Sequence, residues 1–268
     1  MTANSTDHRE PGKPDQSVTA EGRPGIATTE TSGAVIAGRA RVLVVDDEPS
    51  ILRMLQIGLQ DGPYEVRTAM NGEDGVRIAA EWEPDIVLLD LLIADLDGYQ
   101  VCRRMRLFTT APIIVVTALR SEHVVAECIE VGADACIHKP FSVAELATRV
   151  RGALRRRRRP VAGVGSAEIS IDRGRLRIDP TRRLAWRDEE VVPLGADHFR
   201  LLAFLAANPN RTIPFAEVHA EVCGADEALD EAQLKAMAGR LERGLNPDPK
   251  RRRFVTIVED VGLQFVGR

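Results

Sequence analysis

Ile86-Val87-Leu88-Leu89-Asp90 is the stretch that decides how the first half of the chain folds. Four bulky apolar residues in a row, with no polar alternation, suit a strand buried on both faces, the habit of a parallel sheet. The fifth is a carboxylate, placed where such a strand leaves the core. Val42-Leu43-Val44-Val45 ends the same way, in Asp46-Asp47. Ligands of a doubly wound sheet bind beyond the carboxyl ends of its strands. Three acids converging there repel one another unless a cation sits among them, and hard oxygen donors suit Mg²⁺. Asp90 is the expected chemical centre.

Outward from this stretch, strands alternate with amphipathic helices. Pro49 suits the first turn of a helix with apolar Ile51, Leu52, Leu55 and Leu59, followed by a strand from Tyr64 to Ala69. Asn71 is placed to cap a helix through Val76, Ile78 and Ala79. After Asp90 come an Asp97-Gly98 loop and a helix around Val101, Met105 and Leu107. Ile113 to Thr117 reads as the fourth strand, Glu122 to Val131 as a helix, and Ala135 to His138 as the fifth strand. Ser142 caps a last helix that runs into Arg155–Arg159. Five βα units give a flavodoxin-like, doubly wound, five-stranded parallel sheet over residues 40–158.

Residues 1–39 carry almost no large apolar side chain before Val35 and are expected to be a disordered extension. Residues 159–166, with Pro160, Gly163 and Gly165, form a linker. From 167 to 268 the pattern turns to short strands, three helices (about 196–207, 215–223 and 229–244), and a hairpin pairing Phe254–Val258 with Leu263–Val266. That order describes an α+β winged helix-turn-helix.

No apolar run approaches the roughly 20 residues that span a bilayer, and the N-terminus has no apolar signal core. Cys102, Cys128, Cys136 and Cys223 show no metal-ligand spacing and read as reduced thiols, which points to the cytoplasm. Residues 40–154 carry 11 basic and 18 acidic side chains, a net −7, and residues 155–165 carry five arginines and no acid. Residues 166–268 hold 16 basic and 17 acidic side chains, net −1, although a DNA-binding domain is usually clearly basic.

Thr117 ends the fourth strand and Lys139-Pro140 follows the fifth, so both share the sheet edge with the acids. The constellation fits phosphoryl transfer onto Asp90, which needs the charge on the phosphoryl oxygens neutralised by a metal and by a cationic or hydroxyl donor. Taken singly, Asp46-Asp47 could instead cap the helix at Pro49, and Lys139 could be a surface charge. An aspartyl-intermediate phosphatase would need an acid two residues after the nucleophile, where this chain has Leu92.

The segments VLVVDDEPSI, DIVLLDLL, DLDGYQVCRRMR, PIIVVTA and GADACIHKPFS resemble the receiver domain of two-component response regulators. PLGADHFRLLAFLAANPNRTIPFAEV, GRLERGL and RRRFVTIVEDVGLQFVG resemble the DNA-binding domain of the OmpR-type subfamily. The resemblance implies Asp90 as phosphoacceptor, with Mg²⁺ held by Asp46, Asp47, Asp90 and the backbone carbonyl of Leu92. It also implies Thr117 as switch residue, Lys139 as phosphoryl partner with a cis peptide to Pro140, and a sensor histidine kinase as donor. Such proteins form homodimers through the fourth helix, fifth strand and fifth helix. Here Val124, Val125 and Ala135 stand where that face usually carries charge, with Glu145 and Arg149 retained, so hydrophobic contacts are expected. Cys136 replaces the usual aromatic switch side chain.

In the helix at 229–244, Leu234, Ala238, Leu241 and Leu245 form the inward stripe. Ala236, Arg240 and Arg243 lie opposite, with Lys235 beside them. In the winged-helix family this outward face enters the major groove of double-stranded DNA, and Arg240 is the leading candidate for a base or phosphate contact. Arg251, Arg252 and Arg253, leading into the wing, are placed for phosphates. Glu259-Asp260 stands at the wing tip where the family usually has Arg-Gly. An acidic tip repels phosphate, so a receiver-gated protein-interaction module is the alternative reading. The arginine run 155–159 is expected either to be solvated or to touch DNA. Trp82, Trp186, His198, Phe199 and Phe204 are read as packing residues.

Overall fold

The computed structural model describes residues 38–172, 174–223, 229–248 and 250–267, with Glu122 by its backbone alone. The expected disordered extension therefore lies outside the described residues except for its last two.

The first domain runs β1 (Ala40–Val45), α1 (Pro49–Gln60), β2 (Tyr64–Ala69), α2 (Gly72–Trp82), β3 (Ile86–Leu89), α3 (Gly98–Arg106), β4 (Ile113–Thr117), α4 (Glu122–Glu130), β5 (Ala135–His138) and α5 (Val143–Arg158). All strand pairs are parallel, in the order β2-β1-β3-β4-β5. Alternation along β1 shows why apolar runs were required: Leu43 and Val45 enter the core under α2, α3 and α4, while Ala40, Val42 and Val44 enter the core under α1 and α5. Strand order reverses between β1 and β3, and the crevice opens there.

Local chemistry sets the helix starts. Asn71 accepts from the Asp74 amide at 2.8 Å, and Ser142 accepts from the Glu145 amide at 3.1 Å. Asp46 and Asp47 do not cap α1. Its N-cap is Glu48, whose side chain makes no capping bond, and the Glu48 amide turns back to Asp46 Oδ1 at 2.9 Å.

The second domain opens with a four-stranded antiparallel sheet of β6 (Ile169–Ile171), β7 (Leu176–Asp179), β8 (Leu184–Arg187) and β9 (Glu190–Val191). There follow α6 (Ala196–Ala206), β10 (Thr212–Pro214), α7 (Phe215–Val222), α8 (Glu231–Leu245), β11 (Val255–Val258) and β12 (Gly262–Phe265). α6 is buried along its whole described length and forms the centre of this core. Asp230 and Gln233 start α8 with a reciprocal capping box. The three-residue β10 pairs with β12, making a three-stranded sheet where the sequence pattern showed only a hairpin.

Both domains pack into one compact unit. Arg200, on α6, is 2% exposed and donates to the carbonyls of Arg156, Arg159 and Pro160 at 3.1, 2.8 and 2.8 Å. It also pairs with Glu221 at 2.7 Å. The start of the expected linker is thereby fixed to α6 and α7. The arginine run divides: Arg155 and Arg158 are exposed, as a solvated helix end would be, whereas Arg156, Arg157 and Arg159 are engaged by the protein itself. Arg157 pairs with Asp85 at 3.2 Å, Arg156 with Asp197 at 3.6 Å, and Arg159 bonds the Ala220 and Glu221 carbonyls.

Candidate functional site

The sheet edge gathers the expected residues. Asp46 and Asp90 are 2% and 5% exposed, and Thr117 is fully buried. Lys139 Nζ reaches across four strands to Asp46 Oδ2 at 2.8 Å and Asp90 Oδ2 at 2.6 Å. Asp90 Oδ1 accepts from the Leu92 amide at 3.1 Å, and Thr117 Oγ1 accepts from the Leu119 amide at 3.2 Å. The Lys139-Pro140 peptide is cis, as the resemblance implied.

Electrostatics follow from this geometry. Burial pushes the Asp46 carboxyl above its ordinary pKa, and the Lys139 hydrogen bond offsets this only in part. Burial opposes the Lys139 charge too, but the bonds it donates to Asp46 and Asp90 outweigh this and raise its pKa. One ammonium thus serves two desolvated carboxylates, with half-buried Asp47 beside them in the chain.

Among the described residues no three acidic, histidine or cysteine side chains already converge as a metal cage; Asp46 and Asp90 converge on Lys139 instead. The donor chemistry still suits a hard divalent cation: all carboxylate, strand-end, and short of positive charge.

Two residues that sequence reasoning left unassigned shape the pocket. Gly98 lets the loop close over the end of β3, because a Cβ there would come 2.6 Å from the Asp90 carbonyl oxygen. Asp95 accepts from the Gly72 and Glu73 amides at 2.7 and 3.1 Å, so it caps α2 and holds its carboxylate away from the acid group.

On the face expected to dimerise, Val125 is 36% exposed, but Val124 packs into the receiver core. Cys136 is half-buried beside the same core.

The expected DNA-contact residues separate into groups. Ala236 is exposed on α8, as are Arg252 and Arg253 ahead of β11. Lys235 is held by Glu231 at 2.8 Å and by Glu259 of the wing at 3.0 Å. Arg251 pairs with Asp188 and Asp248 at 3.4 and 3.7 Å. Arg243 reaches the first domain, with Glu130 at 2.7 Å. The outward orientation expected for Arg240 is not observed: it is half-buried and lines a cleft shared with α4. Glu242 is structural, accepting from the Phe254 and Val255 amides at 3.0 and 2.7 Å. It fixes the entry to the wing.

With that geometry established, likeness to known proteins defines the class. Residues 42–151 match the response regulator receiver domain, and residues 188–265 match the C-terminal domain of transcriptional regulatory proteins. The chain is 35% identical over 232 residues to the "Probable transcriptional regulator ycf27" of Porphyra purpurea, covering 85% of this chain and 95% of that protein. It is 33% identical over 227 residues to the "Transcriptional regulatory protein KdpE" of Mycobacterium tuberculosis, covering 84% and 98% respectively. A solved structure of a RitR mutant shares the fold with a TM-score of 0.71 at 19% identity, over 85% of this chain and all of that one. The chain belongs to the OmpR-type response regulators. Among the described residues no helix is long and apolar enough to cross a membrane.

Proposed function

We propose that this protein is a cytoplasmic, phosphorylation-controlled DNA-binding transcription factor that accepts a phosphoryl group on Asp90 from a sensor histidine kinase. The observation that carries this is the Lys139 ammonium, 2.6 Å from Asp90 and 2.8 Å from Asp46 at the ends of consecutive sheet elements. Asp90 Oδ2 attacks phosphorus, the P–N bond to the kinase imidazole breaks, and the electron pair leaves with that imidazole. Lys139 then moves from the carboxylate to the transferred phosphoryl oxygens, and the Thr117 hydroxyl, buried at the end of β4, donates to one of them. Mg²⁺, held by Asp46, Asp47, Asp90 and the Leu92 carbonyl, would supply charge neutralisation at the phosphoryl group. Receiver, linker and output domain divide at 158/159 and 166/167. Dimers form through the α4–β5–α5 face, with Val125 rather than Val124 contributing apolar surface.

Labelling by a small phosphodonor in Mg²⁺ tests the acceptor. Asp90→Asn abolishes it, whereas Asp95→Asn preserves it, since an amide oxygen still accepts from the α2 amides. Equal labelling of both variants refutes the assignment. A gel shift with genomic fragments over a salt series tests the output: sequence-specific binding survives competitor DNA. Engagement of Lys235 by Glu259 favours the second reading, a receiver-gated protein-interaction module that does not bind DNA alone. Absence of salt-sensitive binding would select it.

A further inference from the structure

Between the two domains lies a cleft of about 290 Å³, bordered by Glu130 and Gly132 on one side and by Gly195, His198, Arg240 and Arg243 on the other. It has room for several times the roughly 30 Å³ that a water occupies in the liquid. Two nitrogens along it are buried without a hydrogen-bond partner, Arg240 Nε and His198 Nε2. His198 is 7% exposed, so bulk water does not satisfy it. The Glu130 carboxylate that borders the cleft is engaged by Arg243 at 2.7 Å.

A buried guanidinium nitrogen and a buried imidazole nitrogen left unmet are costly. The local field is positive as well. Burial and then the Arg240 charge push the His198 pKa down to about 3, and burial and then Arg243 lower that of Arg240. A water molecule could accept one of these hydrogen bonds but would add no negative charge beside Arg240, which Glu130 offsets only in part. An anion with two or more oxygens meets both needs, because the guanidinium presents a planar fork to such groups.

We propose that this cleft binds a small oxyanion, a phosphate or a carboxylate, which accepts from Arg240 and from His198 Nε2–H and bridges the receiver to the output domain. The anion joins elements of both domains, so it stabilises the docked arrangement and keeps Arg240 engaged at the receiver. This inference does not depend on Arg240 contacting DNA.

The test follows the ¹⁵N signal of His198 Nε2 in the full chain during titration with inorganic phosphate and, separately, malonate, at ionic strength fixed with chloride. The expected result is a saturable shift with at least one of them. Saturation by phosphate alone identifies the phosphate class, and by malonate alone the carboxylate class. Arg240→Gln raises the apparent Kd at least tenfold, and Arg240→Lys, which keeps charge but loses the fork, gives an intermediate value. Arg103→Gln, exposed on α3 and remote from both sites, leaves Kd unchanged. A shift that grows linearly with concentration, persists equally in Arg240→Gln, or fails to occur overturns the proposal and leaves the cleft to water.

Discussion

Glu259 Oε2 lies 3.0 Å from Lys235 Nζ, so the wing places an acid on the cation expected to face nucleic acid. Hydrogen bonds that Lys235 donates to Glu231 and Glu259 hold its pKa well above the ordinary value. The acid at the wing tip, which from sequence only promised repulsion, competes directly with phosphate for this ammonium. Glu259→Gln should therefore tighten DNA binding and steepen the log K against log salt slope by about one, because one more cation becomes free to displace a counterion. Fluorescence anisotropy over a salt series measures both; an unchanged slope would remove Lys235 from the interface.

Arg243 and Glu130 are more than half exposed, so their ion pair adds little to unfolding stability. Its effect should appear in domain docking. Glu130→Arg is expected to leave the urea midpoint nearly unmoved but to open the molecule in small-angle scattering. Adding Arg243→Glu should restore the compact form. Failure of the double variant to recover compactness would show that the pair does not steer docking.

Arg106 and Asp134 form a different kind of pair, with side chains 0% and 3% exposed and 2.7 Å apart. Asp134 also accepts from the Ile113 amide at 2.9 Å and from the Asp197 amide of α6 at 3.3 Å. Asp134→Ala strands the buried guanidinium, which should cost about 3–5 kcal/mol in urea unfolding. A loss below about 1 kcal/mol would mean that the three remaining carbonyl acceptors of Arg106 suffice.

The His198 pKa is depressed from 6.5 to about 3 by burial and by the charges of Arg240 and Arg106. Below pH 6.5 the unfolded chain takes up a proton that the folded chain refuses. The stability from keeping this ring neutral is complete above pH 6.5 and is lost as pH falls from there towards 3, at about 1.4 kcal/mol per pH unit. Comparing wild type with His198→Gln by urea unfolding at pH 7 and pH 5 isolates the effect. The wild type should lose more on acidification.

Much of the receiver could be read from its sequence because its determinants are local. Uninterrupted Val, Ile and Leu runs ending in Asp46, Asp90 and Thr117 mark parallel strands, and their ends mark the pocket. Arg106 and Arg200 were opaque for the opposite reason: their partners are backbone carbonyls up to 44 residues away, which no side-chain pattern encodes. Arg156, Arg157 and Arg159 were not legible because their partners, Asp197, Asp85 and the α7 carbonyls, are remote in sequence, and Val124 was not because helix phase alone did not separate core from surface. β10 escaped notice because three residues ending in Pro214 carry no alternation. Gly195 lets α6 come close to the first domain, and nothing in the sequence pattern flagged it. A Cβ there would meet Asp134 Oδ1 at 2.6 Å and the Gly132 carbonyl at 3.0 Å, so any larger residue would push the elements apart or displace Asp134.

The Arg200 staple changes what kind of device this molecule is. A floppy tether would let the output domain sample space while the receiver changed shape unheard. Here the last turn of α5 and the start of the connecting segment are clamped by a single guanidinium, so the joint behaves as a hinge without play. Freeing the output means surrendering that whole set of contacts together, and a latch of that sort releases abruptly rather than by degrees.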